Sequence, residues 1–211
     1  MSSTKSKSAI EERPNLAGGS HASRLPDNQI TPPEMPGEPH AKMRALRVTR
    51  TYLEMRAPSE LHPARSKDPL IKIEWQRNCS IDLFRFLYRE VGRNYFWIDR
   101  LPWTDEHIKT YLQQPEVSLW LMTCDGDIAG YFELKKEADG STEIAYFGLM
   151  PQFIGRGLGK HLLTCAVEQA WADGAMRVWL HTCTDDGPAA LPNYVKRGFK
   201  PFKTEEYTVE R

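Results

Sequence analysis

Three glycines at alternate positions, Gly155, Gly157 and Gly159, stand between an apolar run over 144–149 and a second over 158–171. The first run reads as a strand and the second as a helix. A strand-to-helix turn so poor in side chains leaves bare amides at the positive end of a helix dipole, which makes an anion site. Arg156 and Lys160 add positive charge beside it. A tight turn needing positive φ would account for a lone Gly-x-Gly. Three spaced glycines, two cations and the strand-then-helix context point instead to a held phosphate or pyrophosphate. No Gly-Lys-Ser/Thr ends the segment, so it is not a P-loop, and the alternation departs from the dinucleotide-binding G-x-G-x-x-G.

The remainder of the chain bounds what surrounds this turn. A length of 211 residues allows one domain of ordinary size plus a tail. Composition changes near residue 41: residues 1–41 are rich in Pro, Ser, Gly and charge and are expected to be a disordered tail. Residues 42–211 are expected to form the domain. Lys+Arg and Asp+Glu balance at 28 each, which argues against bulk nucleic-acid or anionic-membrane binding. No apolar run reaches the ~20 residues of a membrane span, and the start lacks the apolar core of a secretory signal. Cys79, Cys124, Cys165 and Cys183 are far apart with no C-x-x-C pair, and the six histidines are equally scattered. The expectation is therefore reduced, mostly buried thiols, no metal and a cytoplasmic location.

From residue 44 onward, strand and helix signals alternate. Residues 46–55 read as a first strand, with 70–75 as a second candidate. Ser80 caps a helix over 81–91 that Gly92 closes, and Thr104 caps a helix to about residue 113. Strands follow over 118–124, 128–136 and 142–149, the first two joined by the turn Asp125-Gly126-Asp127. After the glycine turn and its helix come a strand over 177–182, a short helix over 189–197 and a last strand over 202–209.

The glycine turn resembles the acyl-CoA pyrophosphate loop of the GCN5-related N-acetyltransferases (GNAT), whose signature is Gln/Arg-x-x-Gly-x-Gly/Ala after an apolar-x-Pro step. Gln152, Gly155 and Gly157 match it literally. Counting from Pro151, the family register falls on Gly157 and Gly159, with Ile154 at the Gln/Arg position. The order of elements is also that of this fold, over 44–209. The resemblance implies an α/β fold with a mixed central sheet, two splayed parallel strands and flanking helices. It implies acetyl-CoA as co-substrate, with Ile154, Gly155, Arg156, Gly157, Leu158, Gly159 and Lys160 holding its pyrophosphate. Phe147, Gly148 and Leu149 would receive the pantetheine arm through backbone groups, with Gly148 permitting its close approach. The amide of Leu149 would hold the thioester oxygen.

Acetyl transfer to an amine needs a base, an acid and a donor to the carbonyl oxygen, and no covalent nucleophile. Glu143 opens the strand before the glycine turn and is the base candidate. Strict alternation puts it on the face of Phe147 and Leu149. His181 is the alternative base, since an imidazole already titrates near neutrality. The segment from Ala190 through Tyr194 to Gly198-Phe199 resembles the family stretch whose tyrosine protonates the coenzyme sulfur, which makes Tyr194 the acid candidate. The asparagine of that stretch is Gly187 here. Residues 93–106 carry Tyr95, Phe96, Trp97, Asp99, Arg100, Trp103 and Asp105. They suit either an amine pocket or docking onto the sheet. The expected function is direct acetyl transfer to a small-molecule amine, with a homodimer left open. A protein lysine or N-terminus is the alternative acceptor, and an idle acyl-CoA-binding regulatory module is the alternative from another class.

Overall fold

The computed structural model describes residues 45–210. The tail expected over 1–41 lies outside them. In chain order the elements are β1 (Ala45–Met55), β2 (Ile71–Trp75), α1 (Ile81–Gly92), α2 (Asp105–Leu112), β3 (Val117–Cys124), β4 (Asp127–Lys136) and β5 (Ser141–Leu149). Then come α3 (Leu158–Ala172), β6 (Arg177–Cys183), α4 (Ala190–Lys196) and β7 (Lys200–Glu210). Both candidate first strands form, so two strands precede the helices where one was expected. Ser80 accepts from the Leu83 amide at 3.1 Å and Thr104 from the His107 amide at 3.2 Å, the two caps read from sequence. The first helix runs through Gly92 and ends on Arg93.

One mixed sheet carries all seven strands in the order β2-β3-β4-β5-β6-β1-β7. Every neighbouring pair is antiparallel except β5 and β6. On one face α3 packs along β4 and β5, fully burying Leu162, Leu163, Ala166, Val167 and Ala170. On the other face α1 and α2 pack over β3, β4 and β5 and bury Phe84, Leu87, Val91 and Ile108. Each buried Leu or Phe contributes roughly 1.5–3 kcal/mol over the exposed state, and this burial fixes which face each helix takes.

A buried ion pair lies under α1 and α2. Arg100 meets Glu133 of β4 through two hydrogen bonds of 2.7 Å, with side-chain exposures of 7% and 0%. Tyr111 joins both, accepting from Arg100 at 2.9 Å and donating to Glu133. The guanidinium also stacks on Tyr146 at 4.0 Å and Trp103 at 4.8 Å. Burial alone would lower the Arg100 pKa, but its bonds to Glu133 outweigh that and hold it above the usual range. This cluster ties the segment between α1 and α2 to the middle of the sheet.

Candidate active site

The glycine turn is held from beneath. Pro151–Phe153 forms a single 3-10 turn, Phe153 is buried, and the Met150 amide donates to the Ala129 carbonyl of β4 at 2.9 Å. Gly155 and Gly157 take φ of +84° and +75°, the left-handed region that glycine enters without steric cost. Gly157 is also the N-cap of α3, with no side-chain cap. Among the described residues, the amides of Gly155, Arg156, Gly157, Leu158, Gly159 and Lys160 pair with no other backbone group. Six consecutive free donors at a helix start form an anion cradle. The Ile154 amide, expected to join them, already donates to the Pro151 carbonyl at 3.3 Å. Arg156 packs over the Phe153 ring at 4.8 Å. Lys160 folds back so that its Cε lies 3.5 Å from where a Gly157 Cβ would stand.

Beside this turn the sheet opens. The parallel ladder joins Ser141, Thr142 and Glu143 to Arg177, Val178 and Trp179, and goes no further. Beyond that point β5 continues to Leu149 and β6 to Cys183 without pairing to each other, leaving a wedge at the C-terminal ends of both strands. An extended ligand placed there would meet unused backbone donors and acceptors, as an added strand does. The observed splay matches the fold implied by the resemblance. Gly148 also makes room for a helix. A Cβ there would stand 2.3 Å from Val91, so its absence permits the close approach of α1.

Glu143 faces the other way from the alternation estimate. The β4–β5 register runs Lys135↔Glu143 and Leu134↔Ile144, then Glu133↔Tyr146, so Ala145 is an extra, bulged residue. The bulge reverses alternation and puts Glu143 on the face of Tyr146 and Glu133, opposite Phe147 and Leu149. It also meets His181: Oε1 of Glu143 lies 3.4 Å from Nδ1 of His181, with side-chain exposures of 14% and 35%. The two candidate bases are therefore neighbours, the carboxylate sheltered and the imidazole open.

Tyr194 stands on the opposite face. It is buried on α4, its ring 6.0 Å edge-on from Phe147 and 6.3 Å from Phe199. Burial, followed by the charge of Asp186, pushes its phenol above the usual range. Among the described residues its hydroxyl has no hydrogen-bond partner. One residue before it, Asn193 donates to the Gly159 carbonyl at 3.4 Å, linking α4 to the start of α3. Sequence reasoning passed over Asn193, although it lies inside the matched stretch.

The segment between α1 and α2 serves mainly for docking. Arg100 is committed to Glu133, Trp103 stacks on Phe84 and His107, and Asp105 pairs with Arg85 at 2.6 Å. Trp97 packs edge-on against Tyr146 at 4.9 Å. Tyr95 reaches across, its hydroxyl 3.4 Å from where a Gly187 Cβ would stand. All four cysteines are free and half-buried, less enclosed than expected. Among the described residues no helix is long and apolar enough to cross a membrane.

The sequence profile of the acetyltransferase (GNAT) family matches residues 84–199, which take in the wedge, the glycine turn and Tyr194. This chain belongs to the acetyltransferase (GNAT) family. An uncharacterized N-acetyltransferase of Mycobacterium tuberculosis (strain ATCC 25618 / H37Rv) is 32% identical over 90 residues, 43% of this chain and 57% of the relative. The chain thus spans little more than half of that relative. Among solved structures, a GCN5-related N-acetyltransferase from Kribbella flavida superposes with a TM-score of 0.56 at 22% identity, over 79% of this chain and 59% of that one. One from Sphaerobacter thermophilus gives 0.58 at 20%, over 80% and 53%. An aminoglycoside acetyltransferase from an uncultured soil metagenomic sample, in complex with sisomicin, gives 0.51 at 16%, over 63% and 90%. These superpositions share the α/β fold of this GNAT chain, a mixed sheet flanked by helices.

Proposed function

We propose that this GNAT protein is an acetyl-CoA-dependent N-acetyltransferase that passes the acetyl group directly to a primary amine of a small molecule. The observation that carries this reading is the wedge between β5 and β6 with six unpaired amides beside it. Backbone donors of that number fit a pyrophosphate, and the wedge fits an extended arm. Bound acetyl-CoA supplies an acyl group already activated as a thioester. Glu143 and His181 lie on one face of the sheet and Tyr194 on the other, so base and acid flank the wedge. Glu143 accepts the proton the amine gives up as its nitrogen forms the C–N bond. The Tyr194 hydroxyl gives a proton to sulfur as the C–S bond breaks. A small acceptor is favoured because Asp105, a carboxylate that would suit a basic peptide, is bound to Arg85.

The test is titration with acetyl-CoA by calorimetry, followed by free-thiol release over a panel of amines and a lysine peptide. Gly157→Val supplies the control. At φ +75° a β-branched side chain is strained and would fill the cradle. The expected outcome is an acetyl-CoA affinity lower by roughly tenfold or more in a protein that keeps its circular dichroism. Undiminished affinity in that variant removes the pyrophosphate assignment. Binding without thiol release from any amine would mark an idle acyl-CoA module.

A further inference from the structure

The helices α1 and α2 pack over β3, β4 and β5, and the same face of the sheet continues past them across β6, β1 and β7. That continuation holds a row of rings. Tyr52 of β1 is its centre, with centroids 5.7 Å from His181, 6.4 Å from Trp179 and 6.1 Å from Phe202. Its hydroxyl is fixed by Glu205 at 2.7 Å. Phe202 is exposed, and Tyr52, Trp179 and His181 are half-covered. Lys203 Nζ lies 4.9 Å over the Tyr52 ring and Arg177 5.6 Å over Phe202, so the ring faces attract cations from this chain itself.

The charges around the row are nearly all committed. Glu54 is bound by Arg56 at 2.6 Å and Arg177 at 3.1 Å, and Glu205 by Lys203 at 2.5 Å. Lys135, across the ladder from Glu143, is held by Glu137 at 2.8 Å. Among the described residues the ion-pair partner of Glu143 is His181, and Lys135 acts on it only through space. A carboxylate whose ion-pair partner is an imidazole, not a lysine or arginine, therefore stands at the head of an aromatic row.

We infer that the acceptor is a monoamine carrying a flat aromatic body, its nitrogen at Glu143 and His181 and its ring on Tyr52, Trp179 and Phe202. This inference rests on the N-acetyltransferase reading. A polyamine would bring further positive charges against Arg50, Arg177 and Lys203. An unbranched alkylamine would forgo the ring contacts. Tyr52 is thus a specificity-determining residue, placed there because β1 lies beside β6.

The experiment uses the full-length protein. Acetyl-CoA affinity is measured first, then thiol release at saturating acetyl-CoA with 2-phenylethylamine, n-hexylamine and spermidine. The expected kcat/KM for 2-phenylethylamine exceeds the other two by about tenfold or more. In Tyr52→Ala that ratio falls toward one, chiefly through KM, whereas Tyr52→Phe keeps it. Phe202→Ala, at an exposed edge position, gives the same fall should Tyr52→Ala not fold, with acetyl-CoA affinity reporting folding in each case. Equal kcat/KM for the three amines, a preference for spermidine, or an unchanged ratio in a variant that binds acetyl-CoA overturns the inference alone. Failure of the wild type to bind acetyl-CoA overturns the functional reading beneath it.

Discussion

Ala145, the bulged residue of β5, turns Glu143 toward His181 and away from Phe147. A bulge depends on how the partner strand is registered, so strict alternation along one strand could not reveal it. The candidate residues themselves, Glu143, His181 and Tyr194, were legible from type and spacing; their sides of the sheet were not. Glu143→Gln is expected to lower turnover mainly at neutral and lower pH, where the amine is protonated and a base matters most, with acetyl-CoA affinity unchanged. A pH–rate profile of unaltered shape and height would transfer the role to His181. Tyr194→Phe keeps the ring against Phe147 and Phe199 and removes only the hydroxyl. Single-turnover thiol release should slow, by up to the ~10²–10⁴-fold typical of general acid–base catalysis, and less if water substitutes. Because burial raises the Tyr194 pKa, the phenol stays protonated past the usual ~10. The slowing should therefore be uniform from neutral pH to mildly alkaline pH. A wild-type rate matched within about twofold would make Tyr194 a packing residue only.

At the scale of elements, local chemistry was readable because it acts over a few residues. Ser80 and Thr104 cap the helices assigned to them, and the glycine turn lies between the strand and helix expected. Pairings between distant residues were not readable. The segment that carries Arg100 suited either an amine pocket or docking onto the sheet, and only the folded chain brings Arg100 to Glu133, 33 positions away. Arg100→Ala leaves that carboxylate buried without its cation, and removing one member of a buried pair costs about 3–5 kcal/mol. Urea unfolding should show a loss of that order. A loss below about 1 kcal/mol would mean that water reaches Glu133 and that the pair behaves as a surface one. Replacing Arg100 and Glu133 together by Met and Leu should recover much of the loss, since no charge is then left unpaired.

For the whole molecule, the decisive feature is β1, which pairs with β6 on one side and β7 on the other. Deleting residues 1–39 removes none of it, and that segment is poor in large apolar residues. Melting temperature and turnover should stay within error of the full chain, and a clear drop in either would show that the tail belongs to the domain. Deleting through residue 55 takes away an interior strand and is expected to abolish cooperative unfolding in calorimetry. The sequence by itself determined the element types, the caps, the glycine turn and the candidate chemistry. Those depend on side-chain period, backbone freedom and spacing, which neighbouring residues express. Only the tertiary structure decided the sheet order, the face of Glu143, the partner of Arg100 and the aromatic row around Tyr52. Each of these depends on which distant strands share hydrogen bonds, and that choice is made by burial of the whole core.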